Sequence, residues 1–166
     1  MGSLFSITAD ILWFFLPAIV ANMAPVFAAR YRWLPYLAVP LDGRHTLRGR
    51  RMLGEHKTLR GLVAGVVLGS AVGLWQGSLT ASLMLSAGAL LGDAVKSMAK
   101  RQLDIPPGRL WIPFDQIDFA LGALLLGGWF VPVTAAHVVM APIVLGIGSY
   151  AVSHLGVKLG IKENRE

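Results

Sequence analysis

Residues 92–118 read GDAVKSMAKRQLDIPPGRLWIPFDQID, four aspartates and four basic residues set between apolar runs long enough to lie in lipid. The fold turns on whether these charges belong to a soluble loop or to the ends of membrane helices. Composition decides it: 55% of the 166 residues are hydrophobic, 14% are charged and the mean hydropathy is +0.61, too apolar for a soluble domain of this size. A bilayer span needs ~20 mostly apolar residues. Working outward from the quoted stretch, five segments approach or exceed that length, at about 4–29, 62–77, 79–98, 113–131 and 134–159. The expected fold is all-α, an integral membrane bundle of five transmembrane helices forming one domain over residues 1–166. The first segment lacks a basic leader and contains Asp10, which favours a retained helix over a signal peptide.

Charge placement sets the orientation. Arg30, Arg32, Arg44, Arg48, Arg50, Arg51, Lys57 and Arg60 lie in or beside the first connection, Lys96, Lys100, Arg101 and Arg109 in or beside the third, and Lys158, Lys162 and Arg165 in the tail. These are all fifteen basic residues, and the N-terminus and the other two connections have none. The positive-inside rule then gives an N-outside, C-inside topology with large cytoplasmic loops after helices 1 and 3. The net charge of +6 becomes a one-sided surface suited to anionic membrane lipids or to a polyphosphate such as a nucleotide. Tyr31, Trp33 and Tyr36 suit the first cytoplasmic border as interface anchors. With no cysteine there are no disulfides or thiolate metal sites, and His45, His56, His137 and His154 lack metal-ligand spacing.

Depth along the helices explains the charges. Counted from the outer hairpins, Asp93 and Asp118 each lie ~21 Å up, at 1.5 Å per residue, in a core ~30 Å thick. Asp115 is one turn closer to the cytoplasm and, as the i−3 neighbour of Asp118, faces the same way. On the preceding helix Asp93, Lys96, Ser97 and Lys100 share a face. Three carboxylates converging below the cytoplasmic surface repel one another unless a cation holds them, and clustered carboxylate oxygens with substrate phosphates suit Mg²⁺. Simpler roles compete: Asp93 and Lys96 as an ion pair within one helix, Asp115 and Asp118 as partners of a helix N-terminus. Capping explains Asp115 better than Asp118, and the three together favour a functional site. Pro106, Pro107, Gly108 and Pro113 interrupt the helices and fold the charged ends toward each other.

The first connection, RYRWLPYLAVPLDGRHTLRGRRMLGEHKTLRG, is basic and glycine-punctuated. It reads either as a phosphate cradle, with the amides of Gly43, Gly49, Gly54 and Gly61 beside Lys57, Thr58 and Arg60, or as an orienting loop that touches acidic lipids. Its spacing matches no P-loop. Asn22, near the cytoplasmic end of helix 1, is either an interhelical hydrogen-bonding residue or part of the site. Gly65, Gly69, Gly73 and Gly88 allow close helix packing.

Taken together, LPAIVANMAPVFAAR, PLDG with RGRRMLGEHKTLRG, GDAVKSMAKRQLDIPPG and PFDQIDFALGAL resemble the CDP-archaeol synthases, small relatives of the phosphatidate cytidylyltransferases. The resemblance runs from about Leu16 to Leu126. The GD-x-x-KS-x-x-KR and FDQ-x-D elements are its specific part. It implies transfer of CMP from CTP to a lipid phosphate with Mg²⁺, releasing pyrophosphate. Asp93, Asp115 and Asp118 then become metal ligands and, with Lys96, catalytic residues. Lys57, Thr58, Arg60, Ser97, Lys100, Arg101 and Asn22 become candidates for binding the substrate phosphates. No nucleic-acid partner is implied, and the sequence assigns no oligomeric state. Two other readings stand beside this one. Asp42-Gly43 begins something like the aspartate-rich motif of the CDP-alcohol phosphotransferases, without its later aspartates, and basic loops with glycine-rich helices also suit a non-enzymatic lipid-binding or transport protein.

Overall fold

Ser3 starts the first helix by accepting a hydrogen bond on Oγ from the Ser6 amide at 3.2 Å, and the chain then stays helical over Leu4–Arg30, α1. The computed structural model describes residues 3–106, 109 and 111–158, and only the backbone at Gln116 and Ser153. Pro107, Gly108, Leu159, Lys162 and Arg165, all used in the sequence reading, lie outside the described residues. α1 carries Pro17 and Pro25 in its interior. Proline has no N–H to give the carbonyl four residues back, and in lipid a freed carbonyl needs another donor. Gln76 supplies one, its amide donating to the Trp13 carbonyl at 2.7 Å.

The second helix, α2, runs over Leu59–Gln76 between a Thr58 cap, whose hydroxyl accepts from the Gly61 amide at 3.2 Å, and Gly77 in the left-handed conformation that closes it. Gly61, Gly65, Gly69 and Gly73 recur every fourth residue and are all buried. Added methyls would lie 2.7 Å from the Ala21 carbonyl at Gly65 and 2.7 Å from that of Pro17 at Gly69. The stripe therefore brings α2 into backbone contact with α1. α3 (Leu79–Gln102) and α4 (Phe114–Gly127) meet in the same way, antiparallel through Gly88, Gly92 and Gly122. A methyl on Gly122 would lie 2.8 Å from the Gly92 Cα. The apolar core combines Ile11, Phe15 and Ala18 of α1 with Leu85 and Ala89 of α3 and Phe119, Ala120 and Ala123 of α4; Ala141 and Leu145 complete it.

Three helices, α1 to α3, are long and apolar enough to cross a membrane. Leu74, Trp75, Leu125, Trp129 and Ile147 point outward, as a lipid-facing surface requires, and the chain is a membrane protein. The expected segment at 113–131 is shorter than its apolar composition suggested: helix begins after Pro113 and its apolar part is only Ile117–Gly127. The expected segment at 134–159 is divided into α5 (Ala135–Val139) and α6 (Ala141–Lys158). Pro142 explains the break, because a proline fits the first turn of α6 but not the interior of one continuous helix. His137 serves structure, bonded through Nδ1 to Thr134 and lying 3.1 Å from Asp10 through Nε2.

The first connection is more ordered than its composition implied. A single 3₁₀ turn, Pro35–Leu37, leads to a small antiparallel hairpin of β1 (Thr46–Leu47) and β2 (Arg50–Arg51). Arg50 docks the hairpin on the end of α3, donating to the Gln102 carbonyl and pairing with Asp104.

Candidate active site

The glycine contact between α3 and α4 puts Gly92 against the Asp118 carbonyl, so Asp93 and Asp118 face each other at one level. Three carboxylates converge there on a single ammonium. Lys96 Nζ lies 3.2 Å from Asp93, 3.0 Å from Asp115 and 2.9 Å from Asp118. Lys57 reaches in from the first connection to pair with the second oxygen of Asp93. Lys100, buried, donates to both oxygens of Asp115 at 2.9 and 3.0 Å and to the Arg109 carbonyl at 2.6 Å. The Trp111 amide donates to Asp115 at 2.6 Å. Three carboxylates and three ammonium groups therefore form one neutral network.

This corrects the expectation that only a bound divalent cation balances the aspartates. Lys100, expected on substrate phosphates, is directed at a carboxylate instead, as is Lys96. Among the described residues no group of three or more His, Cys, Asp or Glu is arranged as a formed metal site. The reason is spacing: the carboxylates stand about one ammonium, whereas Mg²⁺ requires oxygens at ~2.1 Å.

The remaining candidates divide. Ser97 donates to the Asp93 carbonyl at 2.8 Å and, with Arg101, lines a basic cleft of ≈ 550 Å³. Its other walls are Arg51, Leu53, Gly54, Glu55, His56 and Lys57, so Lys57 joins the cleft to the carboxylate network. Arg60 is half-buried in the first turn of α2, and Asn22 is half-buried on α1. Thr58 is committed to capping α2, and the amides expected as a phosphate cradle are mostly spent: Gly61 on Thr58, Gly54 on Asp42, Gly43 on Pro40. The glycine-amide cradle is thereby corrected.

The residue that organises this connection is Asp42. Its buried carboxylate accepts from the amides of Arg44, Leu53 and Gly54 at 3.0, 3.0 and 3.1 Å and from the Arg51 guanidinium at 2.9 and 3.2 Å. The sequence pattern Asp-Gly signals a turn that bonds its own backbone, and that signal was open to reading. The Arg51 hydrogen bond, aided by the three amides and opposed by burial, holds the carboxyl well below its ordinary range. A depressed carboxyl contributes stability that is complete above the unfolded pKa of ~4 and is lost as pH falls toward the folded value. Asp42→Asn is accordingly expected to speed hydrogen exchange at the Leu53 and Gly54 amides about tenfold at neutral pH, the loss of one charge-assisted hydrogen bond. Wild-type exchange rates in the variant would remove Asp42 as the organiser.

The site defines a helical membrane protein whose half-buried carboxylate–lysine network opens on a basic cleft. The family model CarS-like: CDP-archaeol synthase matches residues 4–82 and 77–165. The chain is 38% identical to the CDP-archaeol synthase of Thermofilum pendens, over 84% of this chain and 71% of that one. With the CDP-archaeol synthase of Thermococcus onnurineus it shares 35% identity, over 90% of this chain and 92% of the other. A solved structure described as an intramembrane enzyme for archaeal membrane lipids biosynthesis superposes with a TM-score of 0.74 at 34% identity, covering 86% of this chain and 91% of that one. The chain belongs to the CDP-archaeol synthase family and is a cytidylyltransferase.

Proposed function

We propose that this enzyme transfers CMP from CTP to a membrane lipid phosphate, 2,3-di-O-geranylgeranylglyceryl phosphate or a similar phosphatidate-like lipid. The products are CDP-archaeol, or the corresponding CDP-lipid, and pyrophosphate, in phospholipid biosynthesis. One observation carries the reading: the carboxylate–lysine network borders both kinds of surface that such substrates need. It shares Lys57 with the basic cleft, and it shares the start of α4 with an apolar groove of ≈ 490 Å³ whose walls include Ile112, Pro113, Ile117, Ile143 and Tyr150. A triphosphate suits the first surface and a hydrocarbon chain the second.

Residues 1–166 act as a single membrane-embedded domain, a five-helix bundle in the cell membrane, N-outside and C-inside. α4 and α6 complete the set of spans, and the one-sided basic residues turn the site to the cytoplasm, where CTP is found. The lipid phosphate is already an anionic nucleophile, so no Ser, Cys or His is needed to activate it. The task left to the protein is in-line alignment and neutralisation of two polyanions. Lys57, Arg60, Ser97 and Arg101 hold the nucleotide phosphates, Lys96 and Lys100 offset charge beside the reacting centre, and Thr58 fixes Lys57 by ending the connection at α2. The donor chemistry suits Mg²⁺, being all carboxylate oxygen, although Asp93, Asp115 and Asp118 now stand about the Lys96 ammonium and would have to close to ~2.1 Å about an ion. These three would hold the ion, which when bound neutralises triphosphate charge and assists pyrophosphate departure.

Purified protein given labelled CTP, Mg²⁺ and either the geranylgeranyl ether phosphate or a diacyl phosphatidate is expected to form a CDP-lipid and to stop on adding EDTA. Failure to form any CDP-lipid would overturn the assignment. Turnover surviving complete chelation would remove the metal from it.

A further inference from the structure

We infer that Lys96 is a built-in rival of the divalent cation: its ammonium holds the point on which the three carboxylates converge, so the metal binds well only with a polyphosphate that draws this ammonium away. The inference rests on the proposed reading that Asp93, Asp115 and Asp118 are the metal ligands. Its consequence is coupled binding, in which nucleotide and metal each strengthen the other.

An ammonium has three N–H donors, and Lys96 directs them toward three carboxylates, at 3.2, 3.0 and 2.9 Å. Its side chain is only 15% exposed, so little water competes for those donors. The other two lysines are not interchangeable with it. Among the described residues Lys57 pairs with Asp93 alone, and Lys100 with Asp115 alone and the Arg109 carbonyl. Nor does helix movement readily make room, because Gly92 and Gly122 already place α3 and α4 in backbone contact.

The charge balance points the same way. Lys57, Lys96 and Lys100 neutralise the three aspartates, so a dication entering alone creates an excess of two positive charges in a half-buried site beside the Lys96 ammonium. A triphosphate arriving in the adjoining cleft reverses that balance. Ser97, the next residue on α3, lines the cleft, and the flexible four-carbon stem of Lys96 lets its head leave the carboxylates for a phosphate without moving the helix. Such a site stays closed to metal until the nucleotide is present. Linkage then requires the reciprocal effect, metal tightening the binding of nucleotide by the same factor.

The test uses the full chain in detergent, without lipid acceptor, with Mn²⁺ as the probe counted by electron paramagnetic resonance. Wild-type protein is expected to bind Mn²⁺ at least about tenfold more tightly with CTP present than without it, a typical coupling. Lys96→Met is expected to bind Mn²⁺ alone at least about tenfold more tightly than wild type, with the CTP effect largely gone. Where Lys96→Met does not fold, Lys96→Met combined with Asp118→Asn keeps the net charge and is compared with Asp118→Asn alone; the double variant is expected to bind Mn²⁺ more tightly. Unchanged or weaker Mn²⁺ binding on removing Lys96, or wild-type binding that CTP does not improve, overturns the inference and leaves the metal ligands standing. Absence of Mn²⁺ binding in every protein, with and without CTP, removes the metal assignment itself.

Discussion

Replacing Asp118 by asparagine is expected to lower CMP transfer by about 10³-fold while leaving a folded protein, on the scale of removing one preorganised electrostatic group from a phosphoryl-transfer site. Asparagine keeps the shape and deletes the charge. Asp118 is buried and 2.9 Å from Lys96, so the substitution removes both a proposed metal ligand and one of the three anions that position this lysine. From sequence alone, three crowded aspartates imply that metal-free protein is relieved of repulsion by the change. In the structure Asp118 pairs with Lys96 while crowding Asp93 and Asp115 about the same ammonium, so relief of repulsion and loss of the ion pair oppose each other. Lys96 retains Asp93 and Asp115, and the asparagine carbonyl can still accept one hydrogen bond, so the cost is a modest one of about 1 kcal/mol. Melting with and without CTP and Mg²⁺ separates the roles. Wild type is expected to gain stability from the ligands, as any ligand of the folded state confers, and Asp118→Asn to lose most of that gain. A folded variant with wild-type turnover would take Asp118 out of the site.

Much of the scaffold was legible because membrane helices announce themselves by length and apolarity, and α1 to α3 fall where the runs are. The common level of Asp93 and Asp118 was legible too, since each of the two helices can be counted at a fixed rise from the connection at its far end. What the count does not contain is lateral reach. The i, i+3 spacing of Asp93 and Lys96 was visible, but that the same ammonium also meets Asp115 and Asp118 depends on how closely Gly92 and Gly122 let two backbones approach.

Other features were hidden for local reasons. β1 and β2 have two residues each, too few to show a period, and their position is set by Arg50 reaching Gln102 and Asp104, about fifty residues away in the chain. Asp42 lay in plain view, yet its partners Arg51, Leu53 and Gly54 are brought to it only when the connection folds. Composition likewise could not show the break before α6, which follows from a single proline within an apolar run, or the shortness of α4, which ends at Gly127 while the sequence stays apolar beyond it. Pairing Lys57 with Asp93 unites the two basic regions of the sequence into one site. That long-range contact is the main functional information the fold adds.

The α3–α4 contact offers the most severe structural test. Gly122→Leu is expected to destabilise the protein by about 3 kcal/mol, at the upper end for overpacking, because even a methyl there would lie 2.8 Å from the Gly92 Cα and 2.9 Å from its nitrogen. Backbone cannot swing aside as a side chain does. The helices must separate, and with them the two halves of the carboxylate network, Asp93 and Lys96 on α3 from Asp115 and Asp118 on α4. Misplacement of about 1 Å is enough to cost ~10²-fold in rate, so turnover per folded molecule is expected to fall by at least that factor. Gly148→Leu on α6 is the matched control, since nothing lies within 4 Å of a Cβ built there. It is expected to keep both its melting temperature and its turnover. Thermal melting and CMP transfer measured side by side decide the case, and a Gly122→Leu protein that melts and turns over like wild type would show that the glycine contact does not position the site.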